Sequence, residues 1–254
     1  MIGNKKILVV ITARSGSKGV KGKNYKKLME EPLFLWSVKA AQNSKYVDKI
    51  VISSNCKNCK KIYEEYKSLA EFFEEDFKVE WIQRPDKISG DLSKNEEALI
   101  HSLEYLKDKN FNIFDIVVNL QPTSPCRLSG LLDKCIKKYY NGGYDSLLTG
   151  VKFTPFFWQK KDGKWVYNVD KNDCCNRKMR QEFFEDEDNS EFLMHDCGNI
   201  FITDSRILLD TRCRIGYNPC IYEVSGLNGL QIDTEFDFEL IENMAKVRKI
   251  ESLI

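Results

Sequence analysis

An apolar run followed at once by a glycine-rich basic loop most constrains what this chain can fold into. Residues 7–11 read ILVVI, an unbroken apolar strand typical of a parallel sheet covered on both faces. Residues 13–24 follow with three glycines, one arginine and three lysines. Glycines let backbone N–H groups close on an anion, and cationic side chains supply the charge that a triphosphate needs. A helical pattern begins near Pro32, so the loop is predicted at a strand-to-helix junction, where α/β sheets bind ligands.

Apolar strands and amphipathic helices alternate along most of the chain. Strands are predicted at 7–11, 49–53, 77–82, 114–120, 146–151 and 199–203, with a late strand ending at Asp233, and helices at 33–43, 57–75, 94–107, 131–140 and from Glu235 onward. Such a βαβ series predicts an α/β fold with a doubly wound, mostly parallel sheet. From about 153 to 195 aromatic residues alternate with polar ones instead. We therefore predict one domain over 1–254 with an inserted arm at about 153–195, whose aromatic surface indicates packing against a second subunit.

Charge and hydropathy exclude several classes of function. The 254-residue chain has a formal net charge of +1 and lacks a basic block, which argues against nucleic acid as a partner. No apolar run approaches the roughly 18 residues of a membrane span. The N-terminus lacks the pattern of a signal peptide, so we expect a cytoplasmic protein. Cys56 and Cys59 form a CxxC; without a second pair at zinc spacing, reduced thiols are expected, with a redox pair as the alternative.

The basic loop fits neither common phosphate-binding pattern. Five residues separate Gly16 from Gly22-Lys23, where a P-loop needs four, and Asn24 follows instead of Ser or Thr. Gly16 and Gly19 also lack the spacing of the dinucleotide fingerprint. The loop could be an ordinary basic surface loop. Its position after the first strand, with Arg14 and Lys23 at its ends, favours phosphate binding.

Asp233 is the candidate metal ligand. It lies between the predicted late strand and the last helix, where a carboxylate could hold Mg²⁺. Helix capping is the alternative for this segment, because Thr234 and Asp237 have the spacing of a capping box. Both can hold, with Asp233 facing the ligand.

Further candidates follow the other strands. Gln121 opens the sequence QPTSP after the fourth strand, where two prolines would fix the direction of its amide toward a polar ligand; a proline-shaped loop without a ligand is the alternative. Arg84 and Asp91 follow the third strand at the same sheet edge. His101 is expected to be structural, whereas His195 in the late excursion is a candidate on the substrate side.

Together these motifs resemble the N-acylneuraminate cytidylyltransferases, which make CMP-sialic acid and related CMP-nonulosonates. The similar segments are collinear over nearly the whole chain: Ala13-Arg14-x-Gly16-Ser17-Lys18-Gly19 with Lys23-Asn24, Arg84-Pro85 with Asp91, Leu120 to Pro125 with Arg127, Arg180-Gln181, Gly198-x-Ile200-Phe201-Ile202, and Ile232-Asp233-Thr234 with Asp237.

The resemblance implies a Rossmann-like nucleotidyltransferase domain in which a 3-deoxy-2-ulosonic acid attacks the α-phosphorus of CTP and expels pyrophosphate, in a homodimer. It implies that Arg14 and Lys23 hold the phosphates and that Asp233 binds Mg²⁺. Nucleotide contacts would come from a wider set: Ser15, Gly16, Ser17, Lys18, Asn24, Arg84 and Asp91. Gln121 would contact the sugar acid, and Arg180 its carboxylate.

Departures from the family pattern concern the metal and the acid. Gln231 stands where the family usually has a first metal-binding aspartate; its carbonyl can coordinate but brings no charge. Phe157 and Phe201 stand where sialate enzymes have a lysine and a tyrosine, so a less cationic acid pocket is expected, with a substrate of the legionaminate type. Two alternatives remain: a sugar-1-phosphate nucleotidyltransferase, and a non-catalytic nucleotide-binding paralogue that lost its metal through Gln231.

Overall fold

The computed structural model describes residues 1–73, 77–109, 113–153, 157–167, 179, 193–249 and 252–254, without the side chains of 129 and 161. Eleven strands lie in this part of the chain: β1 (Ile7–Thr12), β2 (Lys27–Leu28), β3 (Glu31–Pro32), β4 (Lys49–Ser54), β5 (Val79–Gln83), β6 (Ile116–Leu120), β7 (Ser146–Phe153), β8 (Trp158–Lys161), β9 (Lys164–Tyr167), β10 (Leu193–Asp204) and β11 (Pro219–Glu223). The α-helices are α1 (Leu33–Gln42), α2 (Lys57–Phe72), α3 (Asn95–Asp108), α4 (Leu131–Asn141), α5 (Ser205–Thr211) and α6 (Glu235–Val247).

Seven of these strands form one mostly parallel sheet in the order β11-β7-β10-β6-β1-β4-β5. The strands β6, β1, β4 and β5 run parallel to one another, and β11 is parallel to β7. Only β10 runs against its neighbours in this sheet, pairing antiparallel with both β6 and β7. The prediction of a doubly wound, mostly parallel α/β sheet is confirmed.

Helices cover both faces of the sheet because β1 is apolar on both. Val9 and Ile11 pack into the core formed with α1, α2 and α4, whereas Leu8 and Val10 pack against α3 and α5. Successive strand residues point to opposite faces, so an unbroken apolar run satisfies both cores. A third cluster joins α6 to α1 and to the loop that follows β1.

The predicted strand ending at Asp233 is wrong. Residues 230–233 form an irregular segment after the 3-10 turn Gly226–Gly229, and α6 begins directly after Thr234. Ile232 is buried there, and its N–H donates to the carbonyl of Thr123 at 2.7 Å. Apolar residues therefore mark an anchored loop and not a strand. The sequence patterns also missed the short elements β2, β3, β11 and α5.

Only part of the predicted arm lies among the described residues. The antiparallel hairpin β8–β9 begins near Trp158, which is half-exposed, and Trp165 on its second strand is 66% exposed. Residues 154–156, 168–178 and 180–192 lie outside the described residues, and the single domain with a dimerising arm stays a prediction. In the described ranges, no helix combines the length and apolarity that crossing a membrane would require.

The CxxC lies at the start of α2. The Cys56 sulfur caps this helix by accepting the Cys59 N–H at 3.4 Å, and both thiols are buried. Burial raises the pKa of the Cys59 thiol far above its usual range. This thiol is therefore protonated and unreactive at neutral pH.

Candidate active site

A polar cavity of about 450 Å³ lies where the parallel strands end. Its wall includes Thr12 at the end of β1, Arg84 directly after β5 and Gln121 directly after β6. The remaining lining residues come from the basic loop, the start of α3, the QPTSP turn and the segment before α6: Arg14, Ser17, Lys18, Gly19, Lys23, Asn24, Asn95, Pro122, Thr123 and Asp233. Most of the predicted site residues therefore meet at one sheet edge.

The basic loop closes onto the segment before α6. Buried Lys23 donates from Nζ to the carbonyl of Ile232 at 2.6 Å and lies 3.3 Å from Asp233 Oδ1. Gly19 packs so tightly there that a Cβ would stand 1.9 Å from the backbone oxygen of Asp233. Within the loop, Asn24 donates from Nδ2 to the carbonyl of Arg14 at 2.8 Å. Position 19 therefore requires glycine, because any side chain would overlap the backbone of Asp233.

Asp91 forms ion pairs with two of the cations that are predicted to contact the nucleotide, Arg14 and Lys18. Its carboxylate lies 2.9 Å from Arg14 NH1 and 2.8 Å from Lys18 Nζ. Hydrogen bonds from Lys18 and then from Arg14 hold the pKa of Asp91 below its usual value. Arg14 also donates to the carbonyl of Gly90 at 3.0 Å. Without ligand, the loop therefore carries an internal counter-ion.

Arg84 presents a second, buried guanidinium to the cavity. It donates from Nε to Ser53 Oγ at 3.2 Å and from NH2 to Ser53 O at 2.6 Å. Burial, and then the charge of Arg14, lower the pKa of Arg84 to about 10. The guanidinium of Arg84 is still cationic at neutral pH. The positive charges of Arg14 and Arg84 therefore both favour an anion in the cavity.

The QPTSP turn carries Gln121 and joins the other motifs. The carbonyl of Thr123 accepts the Ile232 N–H, and Ser124 donates from Oγ to Cys197 O at 2.9 Å. The turn is thereby fixed both to the segment before α6 and to β10. Lys23, Ile232 and Thr123 link three motifs that lie far apart in the sequence.

The side-chain amides of Gln121 and Gln231 both lie close to Gly198. Gly198 has φ +61°, and a Cβ there would stand 2.4 Å from Gln231 Nε2 and 3.3 Å from Gln121 Oε1. The β10–β7 register shifts between Asp196 and Phe201, around this glycine. β-Bulges beside sites re-aim side chains, and only glycine adopts this conformation freely at such close quarters.

Asp233 is the one carboxylate that the segment offers to a cation in this cavity. It is 69% exposed, whereas Asp237 accepts from the N–H groups of Asp233 and Thr234 at 2.8 and 2.7 Å as part of a capping box. In the described residues no cluster of three His, Cys, Asp or Glu side chains could hold a metal. One carboxylate nevertheless fits Mg²⁺, which binds through one or two carboxylates together with substrate phosphates.

The structure places some predicted residues away from the cavity. Phe201, expected in the acid pocket, is buried with the Arg214 guanidinium 4.0 Å from its ring centroid and does not line the cavity, and its role toward the substrate stays a prediction. His195 is exposed on β10 near Phe153, with ring centroids 6.3 Å apart, and does not line the cavity. Arg180 lies outside the described residues.

Other predicted residues lie around the cavity and not in its wall. Ser15 donates its N–H to Asn55 Oδ1 at 2.9 Å, and Gly16 adjoins Arg14. Sequence reasoning missed Thr12 and Asn95, both in the wall. Their positions, at a strand end and at a helix start on the same sheet edge, are the signal that could have identified them.

Comparison with known proteins identifies the family of the chain. Residues 8–188 match the family described as cytidylyltransferase. The post-translational flagellin modification protein B of Campylobacter coli is 29% identical over 250 residues, 97% of each chain. An N-acylneuraminate cytidylyltransferase of Escherichia coli O18:K1:H7 is 27% identical over 236 residues, covering 92% of this chain but 51% of its own length. The CMP-N,N'-diacetyllegionaminic acid synthase of Campylobacter jejuni is 26% identical over 246 residues, 96% of this chain and 97% of its own.

A solved structure supports the same fold. A CMP:2-keto-3-deoxy-manno-octonic acid synthetase complexed with CTP has a TM-score of 0.61 at 13% identity, covering 96% of this chain and 100% of its own. The family resemblance found in the sequence motifs is confirmed. Because the family match spans residues 8–188 of 254, this chain belongs to the cytidylyltransferase family and is a nucleotidyltransferase.

Proposed function

We propose that this cytidylyltransferase transfers CMP from CTP to the anomeric hydroxyl of a 3-deoxy-2-ulosonic acid of the nonulosonate class. The observation that carries the proposal is one cavity with two chemically different sides. Arg14, Lys18, Lys23 and Arg84 line the cavity with positive charge, and we call this part of the wall the nucleotide side. The part of the wall at Gln121, whose amide is neutral, is called the acceptor side. A triphosphate fits the first side, and a polyhydroxylated acceptor fits the second.

The reaction is an in-line displacement at phosphorus. The acceptor hydroxyl oxygen forms a bond to the α-phosphorus of CTP, the bond to the β-phosphate oxygen breaks, and the hydroxyl proton leaves to solvent. The protein's contribution is to position the two reactants and to stabilise charge on the phosphates. Arg14 and Lys23 serve the phosphates from both ends of the basic loop, and Gln121 orients the acceptor.

A legionaminate-type acid is the acceptor that we propose within this class. The synthase named for diacetyllegionaminic acid matches 96% of this chain along 97% of its own length. The acceptor side bears the uncharged amide of Gln121, close to Gly198. Amides donate and accept hydrogen bonds, as the acetamido groups of such an acid require.

We further propose Mg²⁺ as cofactor, a homodimer and a cytoplasmic location. Asp233, with the Gln231 carbonyl as a further oxygen, would hold Mg²⁺ together with phosphate oxygens. When bound, the ion supplies additional positive charge to the triphosphate. The exposed aromatic side chains of the β8–β9 hairpin fit a subunit contact, and the cytoplasm is where CTP is made.

A substrate panel tests the proposal. The protein is incubated with CTP or GTP, Mg²⁺, and N-acetylneuraminate, diacetyllegionaminate or a sugar 1-phosphate, and products are identified by mass spectrometry. We expect a CMP-linked acid and pyrophosphate, with the highest kcat/KM for diacetyllegionaminate. Equal or better turnover of N-acetylneuraminate would overturn the acceptor assignment. A nucleoside diphosphate sugar would favour the sugar-1-phosphate alternative, and no pyrophosphate release with any acid would favour a non-catalytic role.

A further inference from the structure

A fully buried arginine lies beneath the acceptor side of the cavity. The Arg127 side chain is enclosed in the protein, and no carboxylate forms an ion pair with it in the described ranges of the chain. Burial lowers the pKa of this guanidinium to about 9, so it stays cationic at neutral pH. Buried charges without a partner are rare because their desolvation is costly. Arg127 therefore calls for an explanation beyond packing.

The guanidinium joins three segments that surround the acceptor side. It donates to Ser37 Oγ in α1 at 3.1 Å, to the carbonyl of Gln121 at 3.0 Å and to the carbonyl of Asn199 in β10 at 3.0 Å. The first residue of the QPTSP turn and the bulged part of β10 are thereby held to one rigid, planar group.

Asn199 extends the network to the segment before α6. Its Nδ2 donates to the carbonyls of Cys126 and Asn228 at 2.7 Å each. The side chain of Asn228 also contacts the segment that carries Arg127, because its Oδ1 accepts a hydrogen bond from the Leu128 N–H at 2.9 Å. The network therefore fixes the turn that bears Gln121, the strand that bears Gly198 and the 3-10 turn that leads to Gln231.

Two polar atoms of this network, Arg127 Nε and Asn199 Oδ1, have no hydrogen-bond partner among the residues that the structure describes. Buried polar groups are normally satisfied, and a network selected for stability alone would be expected to complete its bonds. The donors that are used all go to backbone oxygens or to a hydroxyl around the site. These hydrogen bonds fix the positions of the residues at the acceptor side and leave part of the possible stabilisation unused.

We infer that Arg127 is a positioning residue for the acceptor, fixing Gln121 against Gly198 and Gln231 through the carbonyls of Gln121 and Asn199. The inference rests on the proposed function for the identity of the acceptor, but not for the placement of Gln121. Arg127 touches neither reactant and acts through Gln121. Loss of the guanidinium hydrogen bonds should therefore weaken binding of the acceptor and leave CTP binding unchanged.

The test compares Arg127→Lys with the wild type, using Arg214→Lys as a matched control. Arg214 is largely buried and stacks on Phe201, outside the cavity wall. We expect Arg127→Lys to raise the KM for the acid between about ten- and a hundredfold and to change the KM for CTP by less than about twofold. Arg214→Lys should change neither KM. The Gln121 side-chain amide resonances of glutamine-labelled protein should shift in Arg127→Lys only.

The outcomes separate positioning from a merely structural role. If both KM values rise together, or if the Gln121 resonances do not move, the inference is overturned. Should Arg127→Lys fail to fold, Ser37→Ala removes one partner of the guanidinium and should produce the same pattern to a smaller degree. If the wild type uses no acid, the proposed function fails, while the Gln121 resonances still decide whether Arg127 positions that side chain.

Discussion

The two sides of the cavity are built in opposite ways. The nucleotide side includes charged side chains near the surface that neutralise one another, as Arg14 and Lys18 do with Asp91. The acceptor side presents neutral amides, and its charge, on Arg127, is buried beneath them. The first side can rearrange when a strongly charged ligand arrives, because exposed ion pairs are weak. The second is fixed in advance, as recognition of the uncharged hydroxyl and acetamido groups of the acceptor requires.

Removal of the buried Lys23, on the nucleotide side, should have the largest effect on activity. We expect Lys23→Met to lower kcat/KM by roughly 10²- to 10³-fold, because it removes a preorganised positive charge from the phosphates and a link to Ile232. Steady-state kinetics with CTP varied measures the change. Lys21→Met is the control, since Lys21 is exposed in the same loop and does not line the cavity. Equal losses in both variants would remove the distinction between the two lysines.

Gly19→Ala should test how tightly the nucleotide side is closed. An added Cβ would overlap the backbone oxygen of Asp233 at 1.9 Å, so the loop must move away from the segment before α6. We expect a destabilisation of about 1–3 kcal/mol, measured by urea unfolding, and a weaker affinity for CTP. Gly16→Ala is the matched control, because its Cβ would meet nothing closer than 3.8 Å. Unchanged CTP binding in Gly19→Ala would show that loop closure is not needed.

Asp91→Asn should change CTP binding in the opposite direction. Removal of this carboxylate frees Arg14 and Lys18 for phosphate, so we expect the Kd for CTP to fall by about three- to tenfold at low ionic strength. Isothermal titration calorimetry measures the change. Glu64→Gln, on the exposed face of α2, controls for the change in net charge. Weaker binding in Asp91→Asn would instead assign Asp91 to the nucleotide, as the sequence predicts.

Asp237→Asn should have the smallest effect and should depend on pH. Burial alone would raise the pKa of Asp237, but the hydrogen bonds from Asp233 and Thr234 together outweigh it and lower the pKa. A lowered folded-state pKa adds stability above about pH 4, and this contribution is lost as the pH falls through the folded pKa. We expect the variant to be less stable by about 1 kcal/mol at pH 7 and nearly equal to the wild type near pH 2. A constant difference across this range would assign the effect to packing.

The nucleotide side could be predicted from sequence because its signals are local. Arg14, Lys18, Lys23 and Asn24 lie within one loop after an apolar strand, and the structure brings all four to the cavity. The parallel sheet brought Arg84 and Gln121 to the same edge, as strand ends predict. The contact of Lys23 with Ile232 was not predictable from spacing, because it joins residues 209 positions apart.

The acceptor side was harder to predict because strand alternation fails there. The shift in register between Asp196 and Phe201 changes the face on which later side chains lie. Phe201, assigned to the acid pocket from the family pattern alone, is buried directly after this shift. The late apolar residues suggested a strand, yet Ile232 is a loop anchor. The sequence motif included Arg127, but its burial and its partners in α1 and β10 depend on tertiary contacts.

The irregularity in β10 also divides that strand into two mechanically different parts. Before it, Leu193 to Asp196 pair with the outer half of β7 and, among the described strands, with no other, whereas after it Phe201 to Thr203 lie between β6 and β7. Sequence changes in the two-stranded part formed by Leu193 to Asp196 and the outer half of β7 need not disturb the central sheet. The segment between Phe153 and Leu193 is therefore a natural unit for exchange between relatives. Chimaeras joined at these two points would ask how far acceptor preference can be recombined while the rest of the enzyme is kept intact.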